Sequence, residues 1–501
     1  MTASPVSKLL QISLTPEIQE LISIPRLNRE LAPGFPYMLQ ASGSHLLMLE
    51  ATGLISREAA SRIAQALLAM QEEGVEAIVP NPLLEDAYFN YEARLMELAT
   101  PKYGGLLHVG RSRNDLGATM ERMRARELLL DALEHGANLL QLLAERGVEH
   151  AQTIMTGYTH LQAAQPITFG YFMTGIGSAL ARDLERLHQA WARTNLCPLG
   201  AGALAATSFP LDRDMTARLL AFDSPLAHGL DAVASRDFAI EILFGLVGAA
   251  TTLSRMATDM YVFSTSEFDL IEFPDSVAGT SSIMPQKKNL AFIEHLRAKP
   301  AHVLAGYTSM VTTVKGTHFT NTMDGNRESM RFFWDTAAEG IIALRLGNLA
   351  AANVRPKAQS MLKQSQLNFS CVTDLADLLV RRNGLSFREA HHVVGAIVHE
   401  VMNSGRAPDS INAENVARAL RVVADAELRV SEDEIRDSLD PKKSVERRTL
   451  KGGPAAERVG EMAADLKAAA ARLSNWISDK RAALATANAT LTEDLVGLAK
   501  D

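Results

Sequence analysis

Three short segments of this 501-residue chain concentrate side chains able to do chemistry. The richest runs Gly279-Thr280-Ser281-Ser282-Ile283-Met284-Pro285-Gln286-Lys287-Lys288-Asn289. Its ammonium and carboxamide donors suit a carboxylate, and a serine beside lysine works as base or nucleophile once burial and the cation lower its pKa. The plainer reading is an exposed basic loop with turn-forming serines. The second segment, Thr156-Gly157-Tyr158-Thr159-His160-Leu161-Gln162, sets one histidine among hydroxyls, which suits proton transfer near neutral pH. A lone histidine is more often a structural residue. The third, Gly110-Arg111-Ser112-Arg113-Asn114-Asp115, offers guanidinium and amide donors to a carboxylate or phosphate, or is a solvated charge run at a helix start.

Reactive groups in loops need rigid elements to hold them. Leu129, Leu133, Gly136, Leu140 and Leu143 recur at helical spacing, as do Ile176, Leu180, Leu184, Leu187 and Trp191, and Phe238, Ile242, Leu246, Ala249, Leu253, Met256 and Met260. A repeat near 3.6 held over four or more turns predicts long amphipathic helices packed in a bundle. Another helix is expected from about Leu290 to Lys315, kinked near Pro300. Ser386 is a plausible N-cap of a helix ending near Gly405, and Asp440 to Pro454 is a basic, Gly-containing loop before a final helix. No βαβ succession, GxGxxG after a strand or GxxxxGK[ST] occurs, which argues against a nucleotide-binding sheet. The expected fold is all-α, with an N-terminal helical domain (1–115), a central helical bundle (116–365) and a C-terminal helical domain (366–501).

Composition agrees. Apolar residues make up 47% and aromatics only 6%, which favours a large helical core over sheet or disorder. A net charge of −8 argues against nucleic acid or an anionic membrane as partner. Two cysteines, Cys197 and Cys371, build neither a disulfide framework nor a structural zinc site, so a reducing compartment is expected. Met1 to Glu20 lacks the pattern of a signal peptide, and the apolar stretch Phe238 to Leu253 reads as too short to span a bilayer. These features describe a soluble, cytoplasmic protein.

The segment SSIMPQKKN resembles the GSSxMPxKxN signature of the fumarase/aspartase superfamily, and GYTHLQ and GRSRND resemble two further signatures of its argininosuccinate lyase branch. The resemblance extends through Pro198 to Leu204, Leu230 to Val233, Arg236 to Phe238 and Phe387 to His392, in family order from about Glu85 to Gly453. It implies a three-domain all-α fold and a homotetramer whose sites take loops from three subunits. It also implies reversible β-elimination of 2-(N-arginino)succinate to arginine and fumarate, as in arginine biosynthesis, with no metal or organic cofactor. On this resemblance Ser281 is the base for the Cβ proton, and Lys287 and Asn289 hold the substrate carboxylate and its aci form. His160, paired with Glu294, is the second acid/base, while Ser112, Arg113, Asn114 and Thr159 line the pocket for the fumarate portion. To act as a base, Ser281 must be buried beside cations.

The chain also departs from the branch. Thr280 stands at the signature glycine, Leu290-Ala291 replaces Pro-Asp, and Glu85-Asp86-Ala87-Tyr88 replaces Glu-Asp-Ile-His. The N-terminal Trp-Gly-Gly-Arg-Phe opening is absent. After Lys315-Gly316, where the family reads Tyr-Asn-Lys-Asp-Leu-Gln-Glu-Asp-Lys, this chain has Phe319-Thr320-Asn321-Thr322-Met323-Asp324-Gly325-Asn326-Arg327-Glu328. Asn326 and Arg327 are expected to replace part of the lost amine-side contacts. Two alternatives follow: a C–N lyase releasing fumarate from another N-substituted aspartate, of the ethylenediamine-disuccinate kind, or a non-catalytic structural homologue.

Overall fold

The computed structural model describes Leu9 and residues 12–500. The stretch Met1 to Glu20, expected to hold no signal peptide, lies partly outside these residues. The chain is mainly α-helical. An N-terminal group comprises α1 (Ile24–Ala51), α2 (Arg57–Glu73) and α3 (Ala87–Gly104). The long α4 (Arg113–Glu149) leads into a hairpin of β1 (Ile154–Thr159) and β2 (Gln162–Thr168), then α5 (Phe169–Thr194) and α6 (Asp237–Phe263). A two-residue pair, β3 (Gly279–Thr280) and β4 (Lys288–Asn289), precedes α7 (Ala291–Lys315) and α8 (Ser329–Asn353). The C-terminal part holds α9 (Val372–Asn383), α10 (Phe387–Asn403), α11 (Ala413–Ala424) and the closing α12 (Ala456–Ala499).

The helical repeats bury the faces they define. Leu129, Leu133, Leu140 and Leu143 of α4 meet Leu180, Leu184 and Leu187 of α5 and Ile242, Leu246 and Leu253 of α6 in one cluster with α7 and α8. Each such leucine contributes about 1.5–3 kcal/mol by leaving water. Glycine sets the closest approach: a Cβ on Gly170, at the start of α5, would lie 2.3 Å from the carbonyl oxygen of Gly147 in α4. Helix α7 runs through Pro300, and α10 starts at Ser386, which forms a capping box with Glu389.

Two findings differ from the sequence expectation, and a third concerns how the buried clusters run across the expected domain cuts. The segment Gly157 to Pro166, read as a loop between helices, lies in an antiparallel hairpin. Helix α6 is 27 residues long, and by length and composition it is long and apolar enough to cross a membrane. The argument from shortness therefore fails; instead Phe238, Ile242, Leu246, Leu253 and Met260 are buried inside the bundle. Finally, the buried clusters do not follow the cuts near 115 and 365. Helix α12 contributes Ala463, Leu466, Ala470 and Ile477 to the central cluster, and Leu491, Leu495 and Leu498 to the N-terminal one. A separate C-terminal cluster gathers Leu375 to Ile435. A helix with apolar residues on more than one face can join two cores, and its sequence position does not say which.

Candidate active site

The first turn of α4 carries Arg113 and Asn114, and a capping box starts it. Ser112 accepts the backbone N–H of Asn114 at 3.2 Å, while Asp115 accepts that of Ser112 at 2.9 Å. Asp115 is fully buried, and its other oxygen accepts the N–H groups of Gly200 and Gly202, each at 2.9 Å. Burial pushes its carboxyl up to about 6, against the pull of these backbone donors. Gly202 has φ +61° and a Cβ there would fall 2.6 Å from the Ala206 carbonyl, so this turn requires glycine. Asn114 donates to the Ala203 carbonyl at 3.0 Å. The GRSRND and Pro198–Leu204 blocks are therefore one unit. Asp115 was not among the expected site residues, although its Ser-x-x-Asp spacing is a capping-box signal.

Arg113 donates to Asp86 at 2.7 Å and to Glu85 at 3.4 Å, with its guanidinium 4.1 Å from the Phe89 ring centre. Asp86 also caps α3 and lies 3.6 Å from Arg26. Tyr88, at the position of the lost histidine, donates to Glu92 at 2.8 Å and accepts from Arg111 at 3.1 Å. Beside it, His108 is pushed down to about 4 by burial and then by the charges of Arg111 and Arg113.

The second motif forms the tip of the β1–β2 hairpin. Thr159 pairs with Gln162, leaving His160 and Leu161 as a two-residue turn with φ +55° and +57°. Both residues in the left-handed region match a type I′ turn, which normally uses Asn-Gly; each side chain here costs about 1–2 kcal/mol. Such strain persists where the surrounding structure enforces it, and it clusters at functional sites. Thr156 anchors the hairpin base, 2.9 Å from the Ser365 hydroxyl and accepting from Asn368 at 2.7 Å. Thr159 and His160 are exposed.

The third motif spans β3 to β4, with Gly279 paired to Asn289 and Thr280 to Lys288. Ser281 Oγ accepts the backbone N–H groups of Ile283 at 3.3 Å and Met284 at 3.0 Å. Lys288 is tied to Asp275 at 2.7 Å, Asn289 donates to the Thr280 carbonyl at 3.4 Å, and Lys287 is exposed. The expected burial of Ser281 beside cations is not met within one chain: it is half-buried in a loop whose neighbours from Ser282 to Lys288 face solvent. Its two main-chain donors nevertheless favour the charged oxygen.

Among the described residues, no hydrogen bond or ion pair joins this loop to His160, Arg113 or Asn114. The expected His160–Glu294 pair is also not formed within the chain, because Glu294, in the first turn of α7, accepts from Tyr261 of α6 at 3.1 Å. Asn326 and Arg327, expected as amine contacts, have partners within the chain. Asn326 is 1% exposed, and its amide donates to the Val233 carbonyl at 3.0 Å and to Asn321. Arg327 donates at 2.9 Å to Glu121, whose other oxygen lies 2.7 Å from Arg236. The residue types of this pair read as available, whereas here Asn326 is buried and the partly exposed Arg327 is paired with Glu121.

Residues 38–305 match the family described as Lyase, and residues 369–446 match the one described as Argininosuccinate lyase C-terminal. Over 479 residues, 96% of each chain, the sequence is 40% identical to Argininosuccinate lyase 1 of Shouchella clausii (strain KSM-K16). It is 34% identical to the argininosuccinate lyase of Methanothermobacter thermautotrophicus, over 86% of this chain and 91% of that one. A solved structure of EDDS lyase in complex with formate matches with TM-score 0.87 at 31% identity, covering 98% of this chain and 97% of the other. A variant of EDDS lyase with bound fumarate gives the same TM-score of 0.87 at 32% identity and the same coverage, 98% and 97%.

Proposed function

Because this chain belongs to the argininosuccinate lyase branch of the fumarase/aspartase superfamily, we propose that it cleaves 2-(N-arginino)succinate reversibly to arginine and fumarate. It is a carbon–nitrogen lyase. The observation that carries the substrate is the 40% identity to an argininosuccinate lyase over 96% of both chains, all three motif loops included.

In this reading Ser281 removes the Cβ proton. The electron pair moves into the adjacent carboxylate, and the resulting dianion needs concentrated positive charge and amide donors. Lys287 and Asn289 supply them. The backbone N–H groups of Ile283 and Met284 stabilise the Ser281 oxyanion, a support that sequence reasoning missed. His160, paired with Glu294 across subunits of the assembly rather than within one chain, protonates the departing nitrogen. Arg113, Asn114, Ser112 and Thr159 hold the fumarate portion.

His160 at an exposed hairpin tip and Lys287 in an exposed loop fit a site assembled from several subunits of a homotetramer. The outer face of the bundle supports such an assembly: Phe244 of α6 and Leu304 of α7 are 54% and 51% exposed. Phe244→Glu with Leu304→Glu should shift the sedimentation coefficient towards the monomer, and an unchanged oligomer would refute this interface. The same reading puts the enzyme in the cytoplasm. The three-part division near residues 115 and 365 is retained as a proposal, with α12 shared between the first two parts.

A second reading has one observation in its favour. The family's amine-side Tyr, Gln and Lys are absent, Asn326 is buried and Arg327 is paired with Glu121. The amine would then be another one, as in a lyase of the ethylenediamine-disuccinate type. The test is release of fumarate from argininosuccinate, followed by its ultraviolet absorbance. Turnover supports arginine as the amine. No signal at high enzyme, with addition of ethylenediamine to fumarate instead, would replace it. Ser281→Ala should abolish turnover with the oligomer intact, which also separates an enzyme from a non-catalytic homologue.

A further inference from the structure

We infer that Asn321 is a positioning residue that sets the orientation of the Asn114 carboxamide, linking the grip on the substrate's fumarate half to the altered segment Phe319 to Glu328. The inference rests on the reading of Asn114 as a donor to the substrate carboxylate.

A carboxamide has one accepting and one donating end, and a half-turn exchanges them. At Asn114 one end lies 3.0 Å from the Ala203 carbonyl. A carbonyl only accepts, so that end is the NH2 group. The other end is therefore oxygen, and it receives an N–H from Asn321 at 2.6 Å. Asn321 is oriented in the same way from behind. Its own oxygen accepts from the Asn326 NH2 group, which also donates to the Val233 carbonyl at 3.0 Å. Two main-chain carbonyls, at Ala203 and Val233, thus impose one polarity on three consecutive side-chain amides. Asn326 is 1% exposed, so water cannot substitute for its partners.

One consequence concerns the substrate. Of the two N–H groups on Asn114, one is held by Ala203 and the other remains for a carboxylate. With the Asn321 donor present, a flipped Asn114 would set its NH2 against the Asn321 NH2 and its oxygen against the Ala203 carbonyl. Asn321 therefore keeps the free donor in place. It lies five positions before Asn326, inside the segment that replaces the family's amine-side residues. Changes on the amine side of this chain are thus wired to the fumarate side.

The experiment measures the equilibrium affinity of the intact oligomer for fumarate alone, by calorimetry, together with KM and kcat in the addition direction. Asn321→Leu removes the donor without adding charge, and losing one oriented hydrogen bond should weaken fumarate about tenfold. The effect should fall on KM for fumarate, with kcat at saturation changed less than about threefold. Asn321→Gln, which keeps both a donor and an acceptor, should recover most of the affinity. A purely structural role would lower the melting temperature and leave fumarate affinity unchanged, and a folded Asn321→Leu protein with wild-type affinity overturns the inference. If the leucine variant does not fold, isosteric Asn321→Asp decides in its place: it keeps the acceptor towards Asn326 but cannot donate to Asn114, and unchanged affinity is again fatal. Wild-type protein that fails to bind fumarate would instead overturn the lyase reading itself, so the two failures are distinguishable.

Discussion

Asp115 accepts the backbone N–H of Gly202 at 2.9 Å, so a buried carboxylate in the first turn of α4 closes a loop 87 residues further along the chain. The same side chain accepts from Ser112, Leu116 and Gly200. A carboxamide offers one accepting end, so Asp115→Asn must set at least one N–H against another. A buried donor left unmatched costs about 1–3 kcal/mol, and with several sharing this acceptor we expect a loss of about 3–5 kcal/mol in urea unfolding. Because Arg113 and Asn114 occupy the same turn, kcat/KM should fall as well. A variant as stable and active as wild type would show that the carboxylate does not hold this junction.

Sequence alone reached the long helices and singled out the three motif loops, for different reasons. A repeat such as Leu129 to Leu143 encodes a buried face directly, and the loops carry their residues in unbroken strings. The hairpin was missed because Gly157 interrupts β1, and Gln162 to Gln165 shows no apolar alternation. What stayed hidden was pairing at a distance. Arg113 meets Asp86 across 27 positions and Asp115 meets Gly200 across 85. Neither contact has a local pattern. Asn326 and Arg327 show the opposite case: residue type suggests availability, whereas Asn326 is buried and Arg327 is paired with Glu121.

Acid should destabilise the protein through His45. Its ring is fully buried, with Nε2–H donating to the Val109 carbonyl at 2.9 Å, and burial lowers its pKa to about 3. The unfolded chain protonates near 6.5, so it binds the extra proton between pH 6.5 and 3, and stability is lost as pH falls through that window. His108, lowered to about 4, acts in the same sense, but its side chain is 38% exposed and solvent screening reduces its share. Asp115, raised to about 6, opposes them between pH 6 and 3.8. The net slope should not exceed about 1.4 kcal/mol per pH unit. His45→Gln keeps a donor for Val109 and removes the titration, so urea midpoints measured from pH 7 to 4.5 should fall less steeply than for wild type. An unchanged slope would exclude His45 as the cause.

Gly170→Ala tests the packing of α4 on α5. Its new methyl would meet the Gly147 carbonyl at 2.3 Å, a main-chain atom that cannot rotate away. The Gly170 N–H also bonds the His150 carbonyl at 3.0 Å, which holds the two helix ends together. Overpacking against backbone costs roughly 1–3 kcal/mol or more, so the melting temperature should drop by several degrees. Gly175→Ala is the control, because no heavy atom lies within 4 Å of its added carbon. If both variants melt alike, the close approach is not what limits this position.

The hairpin tip separates chemistry from conformation. His160 and Leu161 both occupy the left-handed region, and Leu161 is 61% exposed, so neither residue type is required by the fold of one chain. Asparagine tolerates that backbone region but cannot shuttle a proton near neutral pH. His160→Asn should therefore leave the melting temperature within about 2 °C while lowering kcat by about 10²–10⁴-fold, the usual contribution of a positioned acid/base. Leu161→Gly relieves strain at the second turn position and adds entropy to the unfolded chain, effects of about 1 kcal/mol that nearly cancel. Any activity it loses then reports a contact made outside the chain's own core. A His160→Asn protein with wild-type kcat would remove His160 from the proton path and leave its strained backbone without a catalytic explanation.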